Sequence, residues 1–521
     1  MDPDSLSFLD TALALIPILI ILILMIGFRW SGARAGGVAW LAAVLVSVIG
    51  FGAGWQVLVF SQLKALFFTL FVLYIIWMAI ALYHVLREAG AIVSIAHYVA
   101  RLTGSRILQL LLMSWVFSSF LGGMSGFGVP IAVVAPILVS LGFSPITSVI
   151  AVASGHSWAV TFGGIGAPFN ALVVTTGITG DLMAPSTAVL LGVACLACGI
   201  AAAHSYRGFA SIRRGIPALL IVAATMSSLQ YLLARIGMWN LGALIPAMGG
   251  LLSIVLVRHL PTYRAMNRPQ DTEAIAIPNP LPFPLAAAPY LCLVIIFLSA
   301  TLIQPVHDFL GQVQLSVTFP GFGTSRGWFN PASQSIALSL FGHAGALLAY
   351  TSLIAYFMFQ RAGLNQPGAF RRLLTDTASS AGVPSLGIAV LVGTAMIMDQ
   401  SGMSFALAVG LSRIFEPIYP LLAPFIGLLG SFTTNSNLSS NVLFGGLQKD
   451  AAELLNLPVA AILAAQTAGG SLGSMISPAK VILGCSTVGL AGKEGLVIRR
   501  TSIYVLLIST LVGVVTWLLA R

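Results

Sequence analysis

The 521-residue sequence has very little charge: 7% of its residues are Asp, Glu, Lys or Arg, while 58% are apolar. A soluble domain carries roughly 25% charged residues, so the composition excludes a soluble enzyme, a secreted disulfide scaffold and a disordered chain. A transmembrane helix needs about 20 apolar residues, and 58% of 521 supplies enough for about a dozen. The sequence therefore predicts an all-α, multi-pass membrane protein with about 12 transmembrane helices.

Cysteine is also scarce, with four residues in the whole chain. Cys195 and Cys198 have the C-x-x-C spacing of some metal and redox sites, but they lie in an apolar run that contains neither His nor carboxylate. We interpret the pair as small residues that pack between helices. We therefore predict no metal site and no cofactor.

The sequence lacks the motifs of nucleotide hydrolysis and of zinc hydrolases. It has no G-x-x-x-x-G-K-[ST] loop and no H-E-x-x-H pattern, and the glycines of 125–130 lack the spacing of a dinucleotide fingerprint. Its formal charge of +10 comes from short Lys and Arg clusters between apolar runs, the distribution typical of cytoplasmic loops of membrane proteins. We expect a lipid bilayer as the surroundings, no nucleic acid partner and no enzymatic activity.

Two stretches, 122–180 and 430–490, are apolar enough to remain in the membrane but are rich in Gly, Pro, Ser, Thr and Asn. Irregular backbone cannot face lipid, because its amides would have no partner, and it is tolerated only inside protein or beside a wet cavity. The sequence therefore predicts a site between these stretches, at helix breaks within 122–130, 163–168, 430–441 and 469–480.

The two stretches repeat each other at a nearly constant offset. Gly90 corresponds to Gly402 at an offset of 312, and Pro145 to Pro458 at an offset of 313. Duplicated units with interrupted helices at matching positions are typical of secondary transporters, which hold substrate near the membrane midplane. We predict two inverted repeats with broken or re-entrant helices at the midplane. The resulting division is N-terminal transmembrane helices 1–84, a first repeat unit 85–258, a polar linker 259–284, intervening helices 285–394, a second repeat core 395–500 and a final transmembrane helix 501–521.

Helix breaks in mid-membrane predict an anionic ligand, because a helix that begins there presents unpaired amides and about half a positive charge. The alternative is that the glycines only allow close helix packing. Packing explains the run 433–441 less well, since eight of its nine side chains are polar and each unpaired one costs on the order of several kcal/mol in hydrocarbon. The candidate substrate-binding residues are Gly126, Phe127, Gly128, Ser436, Asn437, Ser439, Ser440, Asn441 and Lys480. For Lys480, extension of the side chain to the membrane interface is the alternative.

Few ionisable residues lie in apolar surroundings, and each is a functional candidate. Asp399 is a candidate proton or cation acceptor, and its alternative is a carboxylate at a helix end neutralised by a nearby arginine. His156 titrates near neutral pH and is a candidate proton relay. For His156 and for His343, the alternative is a neutral, hydrogen-bonded histidine.

The segment 125–130, followed by 135–139 and 141–143, resembles the Gly-Phe-Gly-Thr-Pro block of the bacterial L-lactate permease family. The second half is similar to the C-terminal signature of that family in order and approximate spacing, at 430–432, 439–445, 475–478 and 488–494. The likeness covers about 85–500. It implies proton-coupled symport of lactate, glycolate or a related 2-hydroxymonocarboxylate across the bacterial inner membrane.

The sequence departs from the family pattern at three positions. Family members often carry Glu where this chain has Gly122, an acidic or amide residue at Asn437, and Asn where this chain has Asp399. These differences make Asp399 the better candidate for the proton carrier. They also leave open a sodium-coupled carrier of another organic anion, with oxygens from Asn435, Asn437 and Asn441 around Na⁺. From other classes, an intramembrane enzyme or a channel is the alternative, although no nucleophile–base pair or metal cluster points to an enzyme.

Overall fold

The computed structural model describes residues 3–28, 30–125, 128–264 and 280–521. Gly126 and Phe127, two of the predicted substrate-binding residues, lie outside the described residues. So do residues 265–279, most of the predicted polar linker.

Helices make up about four fifths of the described chain. In the first half they are α1 Phe8–Leu22, α2 Gly32–Phe51, α3 Trp55–Glu88, α4 Ala91–Ala100, α5 Arg106–Leu111, α6 Ser118–Met124, α7 Val129–Ser140, α8 Pro145–His156, α9 Gly163–Thr176, α10 Gly180–Arg207, α11 Phe209–Arg235, α12 Leu244–Val257 and α13 Pro261–Arg264. In the second half they are α14 Phe283–Leu302, α15 Gln304–Leu310, α16 Ala344–Arg361, α17 Ala369–Gln400, α18 Met403–Phe415, α19 Tyr419–Thr434, α20 Asn437–Leu454, α21 Val459–Gly473, α22 Pro478–Thr487 and α23 Glu494–Leu519. A π-helical segment, Leu112–Phe117, joins α5 to α6.

Within the described residues, 11 helical segments are long and apolar enough to cross a membrane, or up to 12 if the bent pair Pro145–Ala159 and Gly163–Thr176 forms one span. This finding confirms the prediction of an α-helical, multi-pass membrane protein with about 12 spans. The bent pair changes direction by 51° across its break.

Residues 311–343 carry short strands that the sequence analysis did not predict. The strands are β1 Gln314–Leu315, β2 Thr318–Phe319, β3 Phe322–Gly323, β4 Phe329–Asn330, β5 Ser333–Gln334 and β6 Leu338–Ser339. They pair antiparallel as β1 with β6, β2 with β5 and β3 with β4, so they form one nested hairpin between α15 and α16.

The glycines that match between the two halves make the same turn. Gly90 lies between α3 and α4 with φ of 73°, and Gly402 lies between α17 and α18 with φ of 84°. Both values are in the left-handed region, which costs glycine almost nothing because it has no Cβ. The sequence repeat therefore corresponds to a repeated helix–turn–helix geometry.

The matched helices α3 and α17 pack against each other and run antiparallel. Near the start of α3, Lys64 Nζ donates to Gln400 Oε1 at the end of α17, 2.8 Å away. Near the end of α3, Arg87 forms an ion pair of 2.7 Å with Asp376, which lies in the first half of α17. The two contacts join residues that are 289 and 336 apart in sequence.

Glycine also allows close helix packing in the second half. A Cβ on Gly469 of α21 would lie 1.8 Å from the carbonyl oxygen of Pro424 in α19, and one on Gly427 of α19 would lie 1.9 Å from that of Gln466. The two backbones are thus in direct contact. The packing interpretation of the glycines is correct for this helix pair.

Candidate functional site

A cavity lies where the interrupted helices meet. The space in it that is open to the centres of water molecules is about 60 Å³, enough for roughly four waters. Its described lining consists of Gly122, Gly128, Pro130, His156, Ala159, Val160, Gly163, Gly164, Ala167, Pro168, Asn435, Ser436, Asn437, Leu438 and Lys480. These residues come from both sequence repeats, and we call this space the central cavity.

The first interruption separates α6 from α7. Helix α6 ends at Met124, and Ser125 Oγ donates to the carbonyl oxygen of Leu121, 2.8 Å away. Gly128 precedes α7 with φ of 89°, and Pro130 occupies the first turn, where a missing N–H is tolerated. Helix α7 therefore begins at the wall of the central cavity.

The second interruption lies at the start of α9. Gly164, Ile165 and Gly166 all have left-handed backbone conformations, with φ of 53°, 53° and 72°. Such a conformation is a strained one for a β-branched residue such as Ile165, and strain of this kind collects at functional sites. Helical geometry resumes at Ala167, which lines the cavity together with Pro168.

The third and fourth interruptions are tied to each other by Asn435. Its backbone is left-handed, with φ of 58°, and its Oδ1 accepts hydrogen bonds from Ser477 Oγ and from the backbone N–H of Ala479, both at 3.0 Å. Ser436 caps α20, because its Oγ accepts from the backbone N–H of Ser439. The starts of α20 and α22 are therefore held side by side.

The second interruption begins at Val160, ahead of the range 163–168, whereas the third and fourth are narrower than the ranges 430–441 and 469–480. Within 430–441 the chain leaves helical geometry only at 435–436. Within 469–480 residues 469–473 continue α21, and the interruption is 474–477.

A buried polar network joins the breaks of the two repeats. Asn437 Nδ2 donates to Thr161 Oγ1 at 3.1 Å, and Thr161 Oγ1 donates to the carbonyl oxygen of Thr467 at 2.9 Å. Asn441 Nδ2 lies 2.9 Å from both Thr467 Oγ1 and the carbonyl oxygen of Pro168. These bonds connect α20 and α21 with the break before α9.

The charge in the central cavity is positive. Lys480 Nζ donates to Ser474 Oγ, 2.8 Å away, and no carboxylate is among the described residues that line the cavity. The lysine therefore faces the interior of the protein with no opposite charge at the cavity wall, and the nearby helix starts add partial positive charge. An anion would complete this arrangement.

His156 lies at the end of α8 with 4% of its surface exposed. Its Nδ1 lies 2.6 Å from the carbonyl oxygen of Val152. A carbonyl oxygen can only accept a hydrogen bond, so Nδ1 carries a proton. The histidine also lines the central cavity.

The structure brings together some of the predicted site residues and separates others. Gly128, Ser436, Asn437, Lys480 and His156 line the central cavity. The other described candidates, which are absent from its lining, are Ser439, Ser440, Asn441 and Asp399.

The Ser440 side chain bonds to neighbouring helices and does not line the central cavity. Its Oγ donates to the carbonyl oxygen of Gly427 at 2.7 Å and accepts from Gln466 Nε2 at 3.1 Å. Both partners lie in neighbouring helices, so the hydroxyl joins α20 to α19 and α21.

Asp399 lies in a second cavity, where about 390 Å³ is open to the centres of water molecules. Lys64, Gln400, Lys449 and Asp450 are also part of its lining. Asp399 Oδ2 accepts from Gln400 Nε2 at 2.6 Å, and Gln400 Oε1 accepts from Lys64 Nζ at 2.8 Å. An amide therefore stands between the carboxylate and the lysine.

Helices α9 and α20 connect the two cavities. They pack side by side, and both begin at the central cavity. Thr176 at the end of α9 and Asp450 in α20 line the second cavity. Leu438 and Asp450 are 12 residues apart, which corresponds to about 18 Å along a helix.

Sequence reasoning missed several residues of both cavities. Thr161 and Thr467 have no distinctive signal, because threonine in an apolar run usually bonds to its own helix. Lys64 does have a sequence signal, because it interrupts an otherwise apolar run. A lysine in such a run is a functional candidate. Asp450 follows Lys449 in a polar sequence typical of a membrane interface.

Taken together, the fold and the site define a multi-pass membrane protein in which broken helices enclose a small, positively charged cavity. The sequence model of the L-lactate permease family matches residues 10–521. The chain belongs to the L-lactate permease family. It is therefore a permease of the membrane, in agreement with the expectation that it is not an enzyme.

Individual relatives are similar along nearly their whole length. The glycolate permease GlcA of Escherichia coli K12 is 25% identical, with 98% of this chain and 96% of the relative covered. The L-lactate permease of Bacillus subtilis strain 168 is 27% identical over the same shares of the two chains. The L-lactate permease of Salmonella typhimurium LT2 is 26% identical, with 100% and 97% covered.

Among solved structures, the YdaH transporter of Alcanivorax borkumensis, described as having an unusual topology, aligns with 98% of each chain. Its TM-score is 0.49 and its sequence identity is 14%.

Proposed function

We propose that this protein is a secondary transporter that carries small 2-hydroxymonocarboxylates, such as L-lactate or glycolate, across the membrane together with protons. The observation that carries the proposal is the central cavity, where Lys480 has no carboxylate partner among the described lining residues. The substrate class comes from the names of the relatives, which are L-lactate and glycolate permeases. Room for roughly four waters suits a small monocarboxylate.

Recognition of the carboxylate uses Lys480 and the start of α20. The ammonium group supplies a charge-assisted hydrogen bond, which contributes roughly 1.5–3 kcal/mol. Ser436 and Asn437 lie at the first turn of α20, where backbone N–H groups and the helix dipole favour a negative charge. Binding by one lysine and helix dipoles is firm enough to select an anion and weak enough to release it.

Alternating access follows from two inverted units that share the central cavity. Support comes from the matched helices α3 and α17, which run antiparallel. The two units also pack against each other. Helices α7 and α9 of the first unit contact α22 and α20 of the second, respectively. Rocking of one unit against the other would then open the cavity to one side at a time.

Proton coupling is assigned to Asp399 in the second cavity, with His156 as the alternative carrier. The Asp399 carboxylate makes no direct ion pair with a described residue and is joined to Lys64 through Gln400. A proton on Asp399 would remove the negative charge that strengthens its hydrogen bond from Gln400 Nε2, and would so weaken the link from α17 through Gln400 to Lys64 of α3. Protonation would in this way change the packing of the two matched helices at the second cavity, which α9 and α20 connect to the central cavity.

Sodium coupling is the second candidate, and one observation favours it. Asn437 Oδ1 and Asn441 Oδ1 are buried and have no hydrogen-bond donor among the described residues. Amide oxygens are suitable ligands for a hard cation. Asn435 fits this role less well, because its Oδ1 already accepts two hydrogen bonds.

The experiment is uptake of radiolabelled L-lactate and glycolate into proteoliposomes under an imposed proton gradient, an imposed sodium gradient, or neither. We expect accumulation with the proton gradient and only equilibration without it. Accumulation driven by the sodium gradient alone would show that the coupling ion is sodium and not the proton. No uptake of either acid under any gradient would overturn the proposed function.

A further inference from the structure

We propose that His156 selects 2-hydroxy acids over 2-oxo acids, by accepting a hydrogen bond from the 2-hydroxyl group of the substrate at Nε2. This inference rests on the proposed function and adds to it the residue that determines specificity. It gives His156 a role in recognition that does not require it to carry the transported proton.

The two ring nitrogens of His156 have different surroundings. Nδ1 lies 2.6 Å from the carbonyl oxygen of Val152, one helical turn earlier, and donates its proton there. Nε2 has no hydrogen-bond partner among the described residues, and the histidine is part of the wall of the central cavity. The hydrogen bond to Val152 holds the ring in place, so the orientation of Nε2 is fixed before substrate arrives.

The neutral ring is the form that fits this cavity. Lys480 already contributes one positive charge, and the described lining has no carboxylate to balance a second one. With the proton on Nδ1, neutral Nε2 has a lone pair and no hydrogen. It can therefore accept a hydrogen bond and cannot donate one.

A 2-hydroxy acid matches the two groups. Its carboxylate needs a positive partner, which Lys480 supplies, and its hydroxyl hydrogen needs an acceptor, which Nε2 supplies. A 2-oxo acid such as pyruvate has the same size but only lone pairs at that position, so its oxygen would face the lone pair of Nε2. Propionate has no oxygen there and would leave a buried acceptor unpaired.

Discrimination of this type is large, because a site built to bond one polar group penalises an analogue that leaves it unpaired. One lost hydrogen bond together with one buried unpaired acceptor corresponds to roughly a ten- to hundredfold loss of affinity. Since pyruvate is no larger than lactate, steric exclusion cannot produce the same preference.

The first test uses the unaltered protein in proteoliposomes. Uptake of radiolabelled L-lactate is competed by unlabelled L-lactate, pyruvate, propionate and 2-methoxypropionate, which keeps the oxygen but lacks its hydrogen. We expect L-lactate to compete roughly ten- to a hundredfold better than each of the other three. Competition by pyruvate equal to that by L-lactate would overturn the role of His156, even though lactate transport itself would stand.

The second test compares His156→Gln with His343→Gln. A glutamine amide can donate or accept, so His156→Gln should bring the inhibition constants of pyruvate and L-lactate to within about threefold of each other. His343 is a buried histidine at the start of α16 that is not part of the described cavity lining, and its substitution should leave the ratio unchanged.

An unchanged lactate-to-pyruvate ratio in His156→Gln would also contradict the inference. If that variant does not fold, the competition series with the unaltered protein decides. Absence of all monocarboxylate uptake by the unaltered protein would be a failure of the proposed function, whereas equal uptake of the hydroxy and oxo acids would be a failure of this inference alone.

Discussion

At the residue scale, polar side chains of the same run have different partners. Asn437 lines the central cavity, while Ser440, three residues later, bonds to α19 and α21. Positions three residues apart differ by about 60° around a helix and by about 4.5 Å along it, so Ser440 lies past the cavity, where α19 and α21 pack on α20. Composition alone predicts that such a run must face protein, water or ligand, but it does not say which residue faces which.

The variant Ser440→Ala should therefore affect stability more than binding. The loss of one buried hydroxyl leaves the carbonyl oxygen of Gly427 without this donor, at a cost of about 1–3 kcal/mol. We expect a lower unfolding temperature in detergent and an affinity for L-lactate within about threefold of the parent, since only a small indirect effect on the cavity remains. An affinity loss of tenfold or more without a change in unfolding temperature would place Ser440 in the binding site.

The location of Asp399 also differs from what its sequence context suggests. Its apolar sequence context predicts a functional carboxylate, yet it lies with Lys64 and Asp450 in the second cavity. The sequence contains no signal for this location, because Lys64 and Asp450 are 335 and 51 residues away from Asp399. Position relative to the membrane midplane is a tertiary property that a local pattern cannot specify.

At the element scale, glycine has two different functions in this fold. Gly164 lies at a left-handed break beside the central cavity, where a Cβ would meet no atom within 4 Å. Gly469 lies inside α21, where a Cβ would overlap the backbone of α19. A run of glycines in the sequence is compatible with a helix break or with a packing contact. Which of the two forms depends on whether another helix packs against the run. For this reason the break within 469–480 begins at Ser474, five residues after the first glycine of the run.

The pair Gly164→Ala and Gly469→Ala tests this distinction. Gly469→Ala should prevent tight packing of α19 on α21, because a methyl group would lie 1.8 Å from a carbonyl oxygen, and we expect little monodisperse protein after purification. Gly164→Ala should fold, at a cost of about 1–2 kcal/mol for a left-handed alanine, and should bind L-lactate more weakly because the methyl group enters the cavity. Size-exclusion chromatography and unfolding temperature measure the first effect, and ligand binding measures the second. Normal folding of Gly469→Ala would contradict direct backbone contact between α19 and α21.

At the scale of the whole molecule, the antiparallel pair α3 and α17 has charged groups at both ends. At one end Arg87 pairs with Asp376; at the other, Lys64 is joined to Asp399 through Gln400. Lys64 and Asp376 are 312 residues apart, as are Arg87 and Asp399, so matched positions carry opposite charges. The repeat was detectable from sequence, but the pairing of its charges was not, because it depends on the antiparallel contact of the two helices.

The two ends differ in a way that suits proton coupling. The Arg87–Asp376 pair is direct and half exposed, whereas Asp399 lies in a cavity and reaches Lys64 only through an amide. An exposed pair contributes little to stability. Under the proposed coupling, the half-buried Asp399 carboxylate at the other end would control the contact between the two helices by taking up or releasing a proton.

Asp399→Asn should uncouple transport without preventing it. The amide resembles the protonated carboxyl in shape and cannot release a proton, so we expect no accumulation driven by a proton gradient but normal exchange of internal and external L-lactate. Lys493→Gln, a substitution at an exposed position outside both described cavity linings, is the control. Full gradient-driven accumulation by Asp399→Asn would transfer the coupling role to another group, with His156 as the next candidate.

Binding of L-lactate to the purified protein and its Lys480→Gln variant tests most directly whether the central cavity holds the substrate. Isothermal titration calorimetry, with Lys493→Gln as the matched control, measures the dissociation constant for each. Loss of the charge-assisted hydrogen bond should raise the constant of Lys480→Gln roughly ten- to a hundredfold, while the control stays at the parent value. Equal affinity of the parent and Lys480→Gln for L-lactate would place the substrate site outside the central cavity.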